Sequence, residues 1–319
     1  MREVSRPGPV IFLGTAPFAV PSLEALIAAG EAVALVVTQP DRPRGRGQRT
    51  EATAVKAAAE RLGLRVAQPE QVNAPETLEE LRGLAPELLV VVAYGQLLRR
   101  PLLDLARRGA VNLHPSLLPR HRGPSPVASA ILAGDDLVGN TTMLLDEGMD
   151  SGPVLLQESM PLDPEATRGE VEEHLAGAGG VLLARTLRGL REGAVRPVPQ
   201  DETRVTVSRL LTRQMRPIPW DRSAGEVRRL VHALSPHPGA LTLLGGRLVK
   251  ILRVREVEGA GPPGRVLELR REGPVVGCGA GSLLWLEVQP EGRRPMRGAD
   301  FARGGGVAVG QVLEVPWDD

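Results

Sequence analysis

Cysteine is almost missing from this sequence, and so are lysine and any long apolar run. The single cysteine among 319 residues, Cys278, excludes an internal disulfide framework and any cysteine-clustered zinc or iron–sulfur site. That agrees with a reducing compartment. The longest apolar runs, such as Leu88 to Tyr94, fall far short of the roughly 20 residues that a bilayer crossing needs, so no membrane partner is expected. The opening residues lead only into a short apolar stretch before Gly14 and form no secretory signal, which makes the cytoplasm the expected compartment. Only two lysines occur, Lys56 and Lys250, and neither completes a Walker-type phosphate loop. Neither Gly14-Thr15-Ala16 nor Gly177-Ala178-Gly179-Gly180 supplies a dinucleotide fingerprint after a strand, so a nicotinamide enzyme is not expected and helix packing accounts for the second run.

What is present supports a folded protein of about two domains. Hydrophobic residues make up 42% against 24% charged, enough apolar surface to offset the ordering entropy of a sizeable core. The net charge of +1 hides an imbalance: residues 1–203 sum to −5 and residues 204–319 to +6. The second part is therefore the electropositive one, a feature equally open to ordinary arginine-rich surface and to nucleic-acid binding.

The first two-thirds alternates short β-rich runs with helical ones, the pattern of an α/β fold with a mostly parallel sheet. Strands are expected over 9–13, 32–38, 65–68, 87–94 and 110–113, and helices over 21–29, 53–62, 75–84 and 167–191. The run 87–94 is the most continuous and reads as a central strand buried on both faces. Residues 195–204, with Pro197 and Pro199 and few large apolar side chains, mark the expected boundary between domains 1–203 and 204–319. Beyond it, a helix over 224–233 precedes short alternating segments at 248–257, 264–270, 273–277 and 283–289, as in a small closed β barrel.

The strongest chemical signal is Asn112-Leu113-His114-Pro115-Ser116-Leu117-Leu118-Pro119-Arg120, where a predicted strand ends. Ligands of parallel α/β sheets bind beyond the carboxyl ends of strands, and two residues spaced by two on an extended chain share a side. Asn112 and His114 can thus address one carbonyl, the amide donating to its oxygen and the imidazole donating or shuttling a proton. A turn that merely satisfies both polar groups is the alternative. Asp146 to Pro153 is an acidic, glycine-bearing loop between two strand-like segments, which alone reads as a hairpin turn. Arg42, Arg44, Arg46 and Arg49 lie in a glycine-bearing stretch too charged for a packed element, hence a solvated loop on composition alone. His114 and His121 lack a third ligand at metal-binding spacing, so no metal is expected; His232 and His237 read as surface or packing residues, and Cys278 as a small buried one.

Taken together, these segments make the chain resemble the methionyl-tRNA formyltransferases over nearly its whole length. The resemblance is carried by Phe12 to Pro21, Gln39 to Gly47, Ala93-Tyr94-Gly95, the Asn112 to Pro119 run with Arg122-Gly123, and Gly139 with Thr141-Thr142. Met149-Asp150-Ser151-Gly152 and, near the end, Val288 to Arg294 with Gly298-Ala299-Asp300-Phe301 complete it. It implies a Rossmann-like formyltransferase domain followed by an OB-type barrel, with Asn112, His114 and Asp150 as the catalytic trio. It further implies that Ser116, Leu117, Leu118, Pro119, Tyr94 and Gly95 contact the folate, and that the arginine loop enters the acceptor stem of initiator tRNA. The implied reaction moves a formyl group from 10-formyltetrahydrofolate, a co-substrate, to methionyl initiator tRNA for translation initiation, by a monomer. Hydrolysis of 10-formyltetrahydrofolate, formylation of a sugar-nucleotide amine and RNA binding on an inactive scaffold remain as alternatives. Two departures stand out: Pro124-Ser125-Pro126 replaces small residues before the family's proline, and His237 stands where a tryptophan is usual before Pro-Gly.

Overall fold

The computed structural model describes residues 7–44 and 49–316. Its elements run β1 (Val10–Gly14), α1 (Val20–Ala28), β2 (Val33–Val37), β3 (Arg42–Arg44), β4 (Arg49–Glu51), α2 (Ala54–Arg61), β5 (Val66–Ala67), α3 (Pro75–Gly83), β6 (Leu88–Val92), α4 (Arg100–Leu103) and β7 (Ala110–His114). They continue as α5 (Pro126–Ala133), β8 (Leu137–Leu144), β9 (Val154–Pro161), α6 (Arg168–Glu192), α7 (Ala224–Leu234), β10 (Ala240–Leu244), β11 (Arg247–Val257) and β12 (Val266–Arg270). The last are β13 (Gly273–Gly277), β14 (Ser282–Pro290), β15 (Met296–Arg297), α8 (Gly298–Arg303) and β16 (Leu313–Glu314). Two compact units result: residues 1–123, 138–160 and 172–207 form one, and 124–137, 161–171 and 208–319 the other.

The first unit is built on a sheet of order β5-β2-β1-β6-β7-β8-β9. The strands from β5 to β7 are parallel and β8 runs antiparallel to β7. As its unbroken apolar run predicts, β6 is central and buried along its whole length. Alternation along β1 and β6 sends Val10, Phe12, Leu88 and Val90 to one face, packed with Leu23, Leu26, Leu183 and Leu187. Ile11, Leu13, Leu89 and Val91 go to the other face with Leu81 and Leu102. Gly179 and Gly180 serve helix packing as expected: a Cβ at Gly179 would lie 2.7 Å from Leu113 Cδ2, and one at Gly180 would lie 2.8 Å from the Pro21 carbonyl.

The second unit is a barrel of order β12-β13-β14-β11-β10-β16, with β15 beside β14. Closure comes from its last strand, because Val266 N donates to Gln311 O (2.9 Å) and Leu313 N to Gly264 O (2.7 Å). Inside it Trp220 and Trp285 stack at 6.1 Å between ring centroids, within a core shared with Val227, Val231 and Leu234 of α7. Cys278 is buried there, and burial pushes its thiol up to about 12. The helix α7 starts at a reciprocal Ser223–Glu226 capping box, which the sequence spells as Ser-x-x-Glu. Pro126 occupies the first position of α5, where its missing N–H costs nothing, so the unusual Pro124-Ser125-Pro126 begins a helix rather than disrupting one.

The arginine-rich stretch departs from its expected form as a loop. β3 and β4 pair antiparallel, Arg42 opposite Glu51 and Arg44 opposite Arg49, and Arg46 lies outside the described residues. The ladder is anchored at its base: Lys56 Nζ meets Asp41 Oδ2 at 2.5 Å, and Gln68 Nε2 donates to Asp41 Oδ1 (2.6 Å) and to Gln39 O (2.9 Å). These donors, Lys56 first, hold the Asp41 carboxyl below its ordinary value.

Candidate active site

The sheet reverses its winding between β1 and β6: the chain goes from β1 outward to β2 and β5, then returns to β6 and β7 on the other side. The crevice at such a reversal lies beyond the carboxyl ends of the strands. Tyr94 and Gly95 follow β6 at that end, and His114 is the last residue of β7. Asn112 and His114 share a side of β7, opposite Met143 and Thr141 of β8.

Asn112 Nδ2 donates one hydrogen to the Val91 carbonyl (3.0 Å), which fixes the amide. Its Oδ1 is buried with no partner. An acceptor left so costs about 1–3 kcal/mol, a price compatible with a site that waits for a donor. His114 is only 6% exposed, and its Nε2 lies 3.0 Å from the His121 carbonyl. A carbonyl only accepts, so Nε2 carries the proton and Nδ1 is the nitrogen left for chemistry. Nδ1 faces Asp150 Oδ2 at 3.6 Å. Burial holds the imidazole below the usual histidine range, against the pull of the Asp150 charge and the His121 carbonyl.

Asp150 comes from the loop after β8. Its backbone is left-handed (φ 52°), a conformation that costs a side-chain-bearing residue about 1 kcal/mol and that aspartate tolerates better than most. Its Oδ2 accepts from Gly123 N at 2.7 Å. Two positions on, only glycine fits: a Cβ at Gly152 would sit 1.8 Å from the Leu144 carbonyl oxygen. The Asp-Ser-Gly sequence therefore does more than turn the chain. It brings a carboxylate from β8–β9 to the end of β7.

The Ser116 to Pro119 stretch is tied from within. Ser116 Oγ donates to Arg120 O (2.7 Å), and Thr141 Oγ1 donates to Ser116 O (2.6 Å) while accepting from Leu118 N (3.2 Å). Gln157 Nε2 donates to Leu118 O (3.0 Å). Leu117 contributes surface: a Cβ at Gly139 would lie 2.5 Å from Leu117 Cδ2. The Pro119 peptide is cis. Tyr94 offers its main chain, the carbonyl accepting from Thr15 Oγ1 (2.8 Å) and Gln39 Nε2 (3.4 Å), while burial pushes the phenol up to about 12. Gly95 adopts φ 91°. Of the arginines, Arg42 is exposed, 3.7 Å from Glu70.

His114 and Asp150 thus meet, with Asn112 on the same side of β7, while the arginine ladder follows β2. Sequence reading missed Gln200, the role of the His121 carbonyl and the Gly123 amide. Backbone partners leave no mark on residue identity, and Gln200 sits in a stretch that composition marks as a linker.

A formyl transferase family model matches residues 9–187 and the model of the formyl transferase C-terminal domain matches residues 210–306. The methionyl-tRNA formyltransferase of Citrifermentans bemidjiense is 41% identical over 304 residues, 95% of this chain and 96% of that one. That of Roseiflexus sp. is 45% identical over 308 residues, with 95% and 94% covered. The chain belongs to the methionyl-tRNA formyltransferase family. Among solved structures, HypX from Aquifex aeolicus in complex with tetrahydrofolic acid shares the fold at TM-score 0.65 and 18% identity, over 91% of this chain and 46% of that one. The N-formyltransferase from Helicobacter canadensis does so at TM-score 0.64 and 15% identity, over 88% and 98%.

Proposed function

We propose that this chain transfers the formyl group of 10-formyltetrahydrofolate to the α-amino group of methionyl initiator tRNA, with Asn112, His114 and Asp150 at the reacting carbon. The observation that carries the assignment of residues is the Asp150 carboxylate 3.6 Å from the free ring nitrogen of His114, at the end of β7. Free α-amino groups titrate near 7.7–8.0 and an adjacent ester lowers that, so a neutral amine is available near pH 7 without an enzyme nucleophile. As the amine nitrogen bonds to the formyl carbon, negative charge gathers on the formyl oxygen. The second hydrogen of Asn112 Nδ2 meets that charge, a contact that contributes about 3 kcal/mol, and the His114 ring adds to it once Nδ1 is protonated.

Because Nε2 is taken by the His121 carbonyl, Nδ1 is the atom that handles protons. A ring kept neutral by burial takes up the amine proton as charge develops, and Asp150 stabilises the imidazolium. The imidazolium then gives its proton to N10 as the bond from N10 to the formyl carbon breaks. Ser116 to Pro119 with Tyr94 and Gly95 line the folate side.

Residues 1–203 carry this chemistry, and residues 204–319, with their charge of +6, hold the RNA backbone as the chain acts as a monomer. Arg42, Arg44, Arg46 and Arg49 take the acceptor end, where guanidinium groups pair with phosphates and stack on unpaired bases. Such contacts release counterions, so the Michaelis constant for tRNA rises steeply with salt. Incubating the purified protein with 10-formyltetrahydrofolate and charged initiator tRNA, and in parallel with water alone, tests the reading. Formyl-methionyl-tRNA should accumulate only in the first arm. Folate turnover without tRNA would make the protein a hydrolase, and a Michaelis constant for tRNA indifferent to salt would remove the arginines from the account.

A further inference from the structure

Residues 188–209 fall outside both family models, and composition marks 195–204 as a linker. Gln200, within that stretch, makes an unusual set of bonds. Its Nε2 donates to two main-chain carbonyls of the catalytic loop, Asp150 O at 2.8 Å and Gly152 O at 2.7 Å. Its Oε1 accepts from Arg122 Nε (3.0 Å) and from a terminal nitrogen of the same guanidinium (2.9 Å). Arg122 is 7% exposed, and it also donates two hydrogens to Glu202, with contacts of 2.7 and 3.2 Å. The next residue closes the circuit, since Gly123 N donates to the Asp150 carboxylate at 2.7 Å.

We infer that Gln200 is a positioning residue for Asp150, and the inference rests on the role for Asp150 given above. Asp150 is held in a left-handed conformation (φ 52°) that its own backbone disfavours. Something outside the loop must stabilise it. Gln200 does so from the main-chain side while Gly123 holds the carboxylate, so both ends of the residue hang on the Arg122-Gly123 dipeptide. The amide is the right group for this position. It donates two hydrogens to two carbonyls and at the same time offers an oxygen to a guanidinium, which neither a carboxylate nor an amine can do. Neither group of bonds touches substrate. Their effect is to keep the carboxylate opposite His114 Nδ1, where a displacement of about 1 Å lowers rates by up to about 100-fold.

Gln200→Glu separates the two halves of the amide: the carboxylate still accepts from Arg122 but no longer donates to the loop. Its kcat for formyl transfer is expected to fall by about 10- to 100-fold, with Michaelis constants for both substrates within about twofold and the protein still folded at the assay temperature despite a lowered melting midpoint. Gln200→Met, which removes both halves at similar volume, should fall at least as far. Wild-type kcat in either folded variant overturns the inference. A second readout needs no turnover: the midpoint of the His114 ring titration, followed by NMR, should drop in Gln200→Glu toward that of Asp150→Asn, since the ring loses the charge that favours its protonated form. The other titratable group facing that ring, His121, is unaltered in these variants. A midpoint unchanged in Gln200→Glu but lowered in Asp150→Asn sinks the role of Gln200 alone. Full activity in Asp150→Asn would instead strike at the catalytic reading on which it rests.

Discussion

Of the three buried histidines among the described residues, His114, His121 and His232, the first and last have surroundings that differ in kind. His232, on α7 in the second unit, is fully enclosed, with Nε2 3.0 Å from the Val254 carbonyl and Nδ1 3.4 Å from that of Pro164. His114, at the end of β7, has one backbone carbonyl and, on its other nitrogen, a carboxylate at 3.6 Å borne on a left-handed residue. The first ring is a cross-link between strand β11 and the turn that precedes α6. The second has a partner that a loop must hold in place, and beside it Asn112 keeps an unpaired buried oxygen. A fold can supply the first arrangement for its own sake; the second costs it stability, in keeping with the catalytic role proposed for it.

The sharpest way to break this contrast is by turnover. His114→Ala or Asn112→Ala should lower kcat by about 100-fold or more, with much smaller changes in Michaelis constants, because each contact serves the developing charge. His232→Gln should leave kcat within about twofold once corrected for the folded fraction. Near-normal turnover in Asn112→Ala, or a 100-fold loss in His232→Gln, would erase the distinction.

Much of this was legible in the residues, and what was not has physical causes. Five of the seven sheet strands, β1, β2, β5, β6 and β7, and the long helices followed from apolar runs and from prolines at helix starts, to within a residue or two. β6 announced its central place by having no polar residue. The trio is legible by resemblance, and the i, i+2 spacing explains Asn112 and His114. Asp150 has no such local signal, since its approach to His114 depends on how β8 and β9 return. The β3–β4 ladder was hidden because its arginines mimic a solvated loop, while its anchors, Asp41, Lys56 and Gln68, are scattered along the chain. Barrel closure rests on β16, two residues long, whose bonds to 264–266 no periodicity could reveal. Gln200 was lost for a related reason: prolines around it describe a linker, and its bonds run to carbonyls 48 and 50 residues away.

The comparison inverts when stability is measured instead. His232→Ala removes a packed ring and its hydrogen bonds to the Val254 main chain and the Pro164 carbonyl, so it should cost about 3 kcal/mol. His114→Ala relieves the burial of a titratable group, which offsets part of the lost packing, so it should cost about 1 kcal/mol. Chemical denaturation followed by tryptophan fluorescence is well suited to the first, because Trp220 and Trp285 lie in the same core as α7. Equal costs for the two substitutions would mean that His114 is as structural as His232.

The smallest expected effect separates the rings by acid. Burial lowers the proton affinity of both, His114 against the charge of Asp150 and with His121 nearby, His232 against the charge of Glu165 and with Arg228 adding to the lowering. In the unfolded chain each ring titrates near 6.5, so below that value the unfolded state binds more protons than the native one. Stability is therefore complete above about pH 6.5 and is lost as the pH falls through the lowered native values. His232→Gln, which cannot take up a proton, should flatten the loss between neutral and mildly acid pH in the unfolding of the barrel. His114→Gln should flatten it in the unfolding of the sheet unit, since burial lowers that ring as well. Acid curves of wild type and His232→Gln that superimpose would show that the His232 ring binds its proton equally in both states, and burial would then not lower its proton affinity.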